Sequence, residues 1–154
     1  MSRKRVALLD VNVLVALFDA DHIHHEAAHD WFADNRSAGW ATCPITENGL
    51  IRVLANPKYG SPIAGVPAML DRLTRFRASG HHEFWPDAIS LADESIFTPS
   101  LMRGYRQLTD VYLLGLAQKR GGRLATFDRS IPLGAVAGAG TDTLAIIGPA
   151  DDDR

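Results

Sequence analysis

Four acidic residues stand at positions where a carboxylate needs a physical reason. Asp10 and Asp128 each come directly after a short apolar run that indicates a buried strand. Glu47 and Asp110 each lie three and four positions before leucine or isoleucine, at the head of an apolar helical stripe. A loop position or the dipole of a helix N-terminus explains any one of them alone. It does not explain all four, because acids aligned with a core-facing stripe are costly to bury unless they are paired or bound to a cation.

The chemistry that four such acids suggest is that of a divalent cation. Ligands of open parallel sheets bind beyond the carboxyl ends of the strands, where Asp10 and Asp128 should emerge. Converging carboxylates repel one another and raise each other's pKa, and a bound cation relieves the repulsion. Oxygen ligands favour Mg²⁺ or Mn²⁺ over Zn²⁺. Such a site can polarise a phosphoryl oxygen and activate water for attack on a phosphodiester.

The elements that must position these acids alternate between short strands and helices. This alternation predicts an α/β fold with a mainly parallel sheet. Thr109 is expected to cap the last helix. Residues 57–67 and 133–140 are expected to be loops, and 98–106 gives no clear signal. The predicted strands are 6–9, 40–43, 124–127 and 143–147 with a weaker one at 84–85, and the predicted helices are 11–18, 24–36, 44–54, 68–78 and 109–119.

Length and composition limit the alternatives. The chain has 154 residues, which suits one domain over residues 1–150 followed by a short acidic tail, 151–154, that we expect to be disordered. A net charge of −2 gives no general argument for nucleic-acid binding. The only cysteine, Cys43, cannot form an internal disulfide. No apolar run approaches the ~20 residues of a membrane span and no signal peptide is recognisable, so we expect a cytoplasmic protein that does not enter a membrane.

Taken in order, four segments resemble the PIN-domain nucleases, and most closely the VapC toxins of VapBC toxin–antitoxin pairs. They are residues 8–14 (Leu-Leu-Asp-Val-Asn-Val-Leu), 45–50 (Ile-Thr-Glu-Asn-Gly-Leu), 109–113 (Thr-Asp-Val-Tyr-Leu) and 124–128 (Leu-Ala-Thr-Phe-Asp). No single segment is decisive, but together they span most of the chain at separations like those of the family. Residues 56–59 (Asn-Pro-Lys-Tyr) also resemble a subgroup of these toxins.

The resemblance implies a three-layer α/β/α sandwich around a parallel sheet of about five strands. It implies a Mg²⁺- or Mn²⁺-dependent endoribonuclease that hydrolyses RNA with metal-activated water. It further implies a VapB-type antitoxin as partner and a homodimer. In the matching positions, Asp10, Glu47 and Asp110 would hold the metal, Asp128 would be the fourth acid, and Asn12 and Thr126 would orient the carboxylates.

Other polar residues are weaker candidates. Four arginines near the acids in sequence are candidates for contacts to RNA phosphates: Arg52, Arg103, Arg106 and Arg129. The histidines His22, His24, His25 and His29 resemble a metal cluster, but capping or surface roles near a helix start explain them better. His81 and His82 could supply a general base, although a loop role is the simpler interpretation.

Three other functions compete with the toxin hypothesis. A haloacid-dehalogenase-like phosphatase also places an aspartate after its first strand, but it usually needs a second aspartate where this chain has Asn12. A non-catalytic domain of the same fold is disfavoured because none of the four acids is lost. A stand-alone RNA-processing PIN protein without an antitoxin would have the same site.

Overall fold

A computed structural model describes residues 5–60 and 65–148. The acidic tail 151–154 lies outside the described residues, and its disorder stays a prediction. The core of the molecule is a sheet of five parallel strands in the order β3-β2-β1-β4-β5. The predicted α/β class and the parallel sheet are therefore confirmed. The strands are β1 (Ala7–Leu9), β2 (Trp40–Thr42), β3 (His82–Phe84), β4 (Arg123–Thr126) and β5 (Leu144–Ile146).

Helices cover both faces of this sheet. On one face, the helices that lie between β1 and β3 in the chain pack in a cluster with Leu9 and Trp40. On the other, α5 packs with the segments around Trp85 and Phe97. The result is the three-layer sandwich that the resemblance to PIN-domain nucleases implied. The helices are α1 (Val11–Phe18), α2 (His25–Asn35), α3 (Pro44–Ala55), α4 (Gly65–Arg77) and α5 (Leu108–Lys119).

Several predicted boundaries are corrected. Thr109 is not an N-cap, because the 3-10 turn Tyr105–Gln107 leads directly into α5 at Leu108. The α4 helix starts before residue 68, with Pro67 in its first turn, where a missing N–H is tolerated. The β3 strand ends at Phe84, although the Trp85 N–H still donates to the Thr42 carbonyl oxygen at 2.8 Å.

Smaller differences affect the remaining loops and ends. Two 3-10 turns, Pro99–Leu101 and Tyr105–Gln107, begin within the 98–106 segment, and a third, Pro57–Tyr59, lies in the predicted loop after α3. The strand before Asp128 ends at Thr126, so Phe127 already belongs to the loop. None of the helices found in the described ranges is long and apolar enough to cross a membrane.

The packing of α3 on α1 fixes the spacing at the edge of the sheet. Gly49 faces Val11, and a Cβ atom at Gly49 would lie 2.7 Å from the Val11 Cγ2 atom. At the start of α3, Pro44 occupies the first turn, and the Cys43 N–H donates to the Thr46 hydroxyl at 2.9 Å. Both helices therefore begin at defined points beyond the carboxyl ends of β1 and β2.

Candidate active site

Asp10 is the innermost of the candidate acids. It follows β1, acts as the N-cap of α1, and is only 5% exposed. Its Oδ1 atom accepts the Val11 N–H at 2.7 Å, and its Oδ2 atom accepts the Thr126 hydroxyl at 2.8 Å. Burial raises the pKa of Asp10, and the charge of Asp128 raises it further, while the two hydrogen bonds act in the opposite direction.

Asp110 lies in the first turn of α5 and faces two other carboxylates. Burial, followed by the negative charges of Asp10 and Asp128 and a side-chain hydrogen bond with Asp128, raises the pKa of Asp110 to about 7. Three aspartates from distant parts of the chain therefore converge at the carboxyl edge of β1 and β4. Within residues 5–60 and 65–148, no lysine or arginine forms a salt bridge with Asp10 or Asp110.

One threonine hydroxyl orders two of these carboxylates. Thr126, the last residue of β4, donates to Asp10 and accepts the Asp128 N–H at 3.1 Å. The Asp128 Oδ1 atom in turn accepts the Ser130 N–H at 2.8 Å and the Ser130 hydroxyl at 2.7 Å. The Gln107 amide then donates to the Ser130 carbonyl oxygen at 3.1 Å, which ties this loop to the residue before α5.

Ser130 and Gln107 were not among the residues predicted from the sequence. The spacing Asp-x-Ser is a recognisable signal for a side-chain-to-backbone turn, so Ser130 could have been found from it. Gln107 gives no such signal, because its contact joins two loops that are distant in sequence. Their contacts join the loop that carries Asp128 to the turn before α5.

Glu47 contacts residues other than the three aspartates. Its Oε2 atom accepts the Thr42 hydroxyl at 2.6 Å and lies 3.5 Å from the Arg77 Nη1 atom of α4. His82 Nε2 lies 2.7 Å from the same Thr42 oxygen. Since the threonine proton goes to Glu47, Thr42 must accept from His82, which therefore carries its proton on Nε2. Burial and then Arg77 lower the pKa of His82 to about 4, so its ring is neutral.

The structure thus joins Asp10, Asp110 and Asp128 and gives Glu47 a separate set of partners. As the side chains stand, no three histidine, cysteine, aspartate or glutamate groups in the described segments are arranged to hold one metal ion. This also applies to His22, His24, His25 and His29. The His24 and Phe127 rings are 4.7 Å apart, and the His25 Nδ1 atom lies 2.6 Å from the Ala16 carbonyl oxygen.

The remaining candidates are Asn12 and the four arginines. Asn12 is exposed in the first turn of α1. Arg52 lines a cavity with Val11 and Thr109, the neighbours of Asp10 and Asp110. Arg103 and Arg129 line a larger cavity together with Ser130. Arg106 is exposed, and its Nε atom donates to the Tyr105 hydroxyl at 3.2 Å.

Comparison with known proteins agrees with this geometry. The PIN domain family model matches residues 7–137. Ribonuclease VapC44 of Mycobacterium tuberculosis is 46% identical over 141 residues, covering 92% of this chain and 99% of that protein. Ribonuclease VapC38 of the same organism is 48% identical over 126 residues, covering 82% and 87%. The crystal structure of M. tuberculosis VapC20, a toxin that cleaves the sarcin–ricin loop, superposes with a TM-score of 0.60 at 16% identity, covering 87% of this chain and 96% of that one.

The chain belongs to the PIN-domain family, and within that family to the VapC type. The resemblance inferred from the four sequence segments is confirmed. The phosphatase alternative has no support from these relatives. The VapC20 structure supports the fold alone, because its sequence identity to this chain is low.

Proposed function

We propose that this protein is a Mg²⁺- or Mn²⁺-dependent endoribonuclease and the toxin of a VapBC-type pair. The observation that carries the proposal is the convergence of Asp10, Asp110 and Asp128, with the pKa of Asp110 raised to about 7. The relatives named ribonucleases support RNA as the substrate. The fold is shared with VapC20, a toxin that cleaves the sarcin–ricin loop.

The chemistry of the donor set fits a hard divalent cation, although the described carboxylates would have to shift to hold one ion together. All the converging groups are carboxylates, and their mutual repulsion is not balanced by a salt bridge to Asp10 or Asp110 in the described residues. A bound cation would neutralise this charge, polarise a phosphoryl oxygen and supply an activated water for in-line attack on a phosphodiester. We assign Asp10, Asp110 and Asp128 as its ligands.

Glu47, which the resemblance placed among the three core ligands, is retained as a proposed ligand beside the three aspartates. It lies in the first turn of α3, which starts directly after β2, the neighbour of β1. Its distance of 3.5 Å to Arg77 is longer than a strong charge-assisted hydrogen bond, which measures about 2.7–2.9 Å. This contact is therefore weak enough to be exchanged for a divalent cation.

The other residues of the site hold the carboxylates in place. Thr126 and the Val11 N–H fix both oxygens of Asp10, so its orientation is set before any substrate arrives. Ser130 holds one oxygen of Asp128. Asn12 is proposed to assist in the same way from α1. Preorganised groups of this kind reduce the reorganisation needed in the transition state.

An RNA cleavage assay tests this function. The protein is expected to cleave RNA with Mg²⁺ or Mn²⁺ and to stop on addition of EDTA. Asp10→Asn and Asp110→Asn should each abolish cleavage while leaving the fold intact. Asp71→Asn is the matched control, because Asp71 is an exposed acid on α4 paired with Arg75 at 3.1 Å. Full activity in either site variant would refute the assignment.

The toxin role adds a partner and an oligomeric state. We propose a VapB-type antitoxin, encoded next to this chain, and a homodimer, as the VapC type implies. Expression of the chain alone should arrest growth, and co-expression of the neighbouring small reading frame should restore it. Growth arrest that the neighbouring frame never relieves would instead favour a stand-alone RNA-processing nuclease. Light scattering of the purified protein gives its mass in solution.

A further inference from the structure

A cationic cavity lies immediately beside the aspartates. It has a volume of about 670 Å³ and is lined by Arg103, Arg129, Ser100 and Ser130 over an apolar wall drawn from residues 101–134. We call it the Arg103 cavity. None of its described lining residues is acidic, although the whole chain carries a net charge of −2. It therefore places two arginines next to the converging aspartates.

Ser130 connects this cavity to the candidate active site. The same residue lines the cavity and donates both its N–H and its hydroxyl to the Asp128 Oδ1 atom. A ligand in the cavity is thus separated from the Asp128 carboxylate by one side chain. The cavity lies on the β4 side of Asp10, whereas the cavity lined by Arg52 adjoins α3, which follows β2 on the other side.

We propose that the Arg103 cavity binds the phosphodiester backbone of the RNA substrate, next to the bond that is cleaved. This inference rests on the proposed nuclease function and specifies how its substrate is held. The planar guanidinium group matches the geometry of a phosphate, and the Ser100 hydroxyl can donate to a further oxygen. The cavity volume is within the ~300–1,000 Å³ of typical ligand sites and suits one nucleotide unit.

The charge distribution gives the physical reason for such a subsite. A polyanion that approaches three carboxylates is repelled, and cations along its path offset that repulsion. Backbone contacts of this kind fix the register of the strand and carry no base specificity. Arg129 also donates to the Gly148 carbonyl oxygen at 3.1 Å, so Arg103 is the residue to test.

The test measures RNA affinity in a background that cannot cleave. In the Asp10→Asn protein, fluorescence anisotropy with a labelled single-stranded RNA is recorded at several salt concentrations. Arg103→Gln is expected to weaken binding about 3- to 10-fold near 0.1 M salt. It should also reduce the slope of log affinity against log salt by about 0.7, the value for one phosphate contact on a single strand.

Two further variants give the controls. Ser100→Asp places a negative charge in the cavity without removing an arginine, and it should weaken binding at least as much. Arg75→Gln removes an exposed arginine that pairs with Asp71 on α4, on the opposite face of the sheet, and should change nothing. Thermal unfolding confirms that all variants are folded. Affinity and salt slope like the parent in both cavity variants would overturn the proposal.

A cleavage assay distinguishes failure of this inference from failure of the nuclease function. With Asp10 intact, Arg103→Gln should raise KM for RNA and leave kcat unchanged. If the parent cleaves RNA and both cavity variants match its KM, only the cavity assignment fails. If the parent does not cleave RNA with any divalent cation yet loses RNA binding in both cavity variants, the nuclease function fails and the binding site stands.

Discussion

Thr126 is the residue on which the arrangement of the carboxylates depends most. It is buried at the end of β4, and its single hydroxyl contacts both Asp10 and the backbone of Asp128. Side chains that orient metal ligands usually affect metal affinity about 10- to 100-fold when removed. The effect of Thr126 on function should therefore exceed its effect on stability.

We predict that Thr126→Val weakens Mn²⁺ binding about 10- to 100-fold, because Asp10 loses its buried donor. The measurement is isothermal titration with Mn²⁺. Thr143→Val is the matched control, since Thr143 is also buried and its hydroxyl donates to the Gln118 side-chain oxygen at 3.0 Å, far in sequence from the acids. Both variants should lose about 1 kcal/mol of stability. Equal metal affinities in the two variants would contradict the orienting role of Thr126.

The pKa of Asp110 predicts a dependence of metal-free stability on pH. Its pKa of about 7 lies above the ~3.9 of an unfolded aspartate, so the fold favours the protonated form. This contribution is fully present below pH ~4 and is lost as the pH rises through about 7. Relative to Asp110→Asn, the parent protein in EDTA should lose on the order of 1–3 kcal/mol of unfolding free energy between pH 4 and 7.5.

Urea unfolding of the parent and of Asp110→Asn at several pH values checks this. The relevant quantity is the difference between the two proteins, because the other carboxylates titrate in both. Added Mn²⁺ should reverse the trend, since the ionised form is the one that binds a cation. If the unfolding free energies of the two proteins in EDTA change in parallel with pH, the pKa of Asp110 is not raised by its neighbours.

At the level of elements, the contact between α1 and α3 sets the distance between the Asp10 and Glu47 backbones. Gly49 allows this contact, because any side chain there would meet Val11 at the residue following Asp10. Gly49→Ala is expected to destabilise the protein by about 1–3 kcal/mol and to reduce RNA cleavage. The double variant Gly49→Ala with Val11→Ala should recover much of both. Unfolding free energies and cleavage rates are measured for the parent, the two single variants and the double variant, which form a double-mutant cycle. Strictly additive effects of the two substitutions would argue against the contact.

The Asn-Pro-Lys-Tyr segment also acquires a role at this scale. The Asn56 side chain accepts the Lys58 N–H at 3.0 Å and caps the 3-10 turn after α3. The Tyr59 hydroxyl then donates to the Asp19 carboxylate at 2.6 Å, at the end of α1. The segment thus ties the ends of α1 and α3 together.

Tyr59→Phe removes this connection and keeps the ring. We expect a loss of about 0.5–1.5 kcal/mol in unfolding free energy, since a net hydrogen bond is worth that much and this one is exposed. RNA cleavage should be unchanged, because the contact lies at the end of α1 opposite Asp10. A double-mutant cycle with Asp19→Asn isolates the pair, and a coupling energy near zero would remove this role from the segment.

For the whole molecule, the sequence was informative wherever apolar runs were buried. The β1 and β4 strands are short buried runs, with Asp10 directly after β1 and Asp128 two residues after β4. The meeting of these two aspartates at one edge of the sheet could therefore be predicted from parallel α/β geometry. The β3 strand was placed too late because it lies at the edge of the sheet and is mostly polar and exposed. The start of α5 was misplaced because a 3-10 turn, which has no clear propensity signal, leads into it.

The part of the site that could not be predicted consists of polar contacts between distant segments. Glu47 was expected with the aspartates, yet its recorded partners are Thr42 and Arg77. Arg77 lies on a different helix, and no periodicity in the sequence encodes which acid it approaches. Gln107 was missed for the same reason, because its contact with Ser130 joins two segments that are distant in sequence. Hydrophobic patterning predicts which residues are buried, and it does not predict how polar side chains pair.

The central claim is that the aspartates that converge from separate segments of the chain bind one divalent cation. The most direct measurement is a crystal structure grown with Mn²⁺, with the anomalous signal of the ion recorded at its absorption edge. We expect a peak about 2.0–2.3 Å from carboxylate oxygens of Asp10 and at least one of Asp110 and Asp128. Fully occupied Mn²⁺ at other sites, with these three carboxylates left without an ion, would contradict the account.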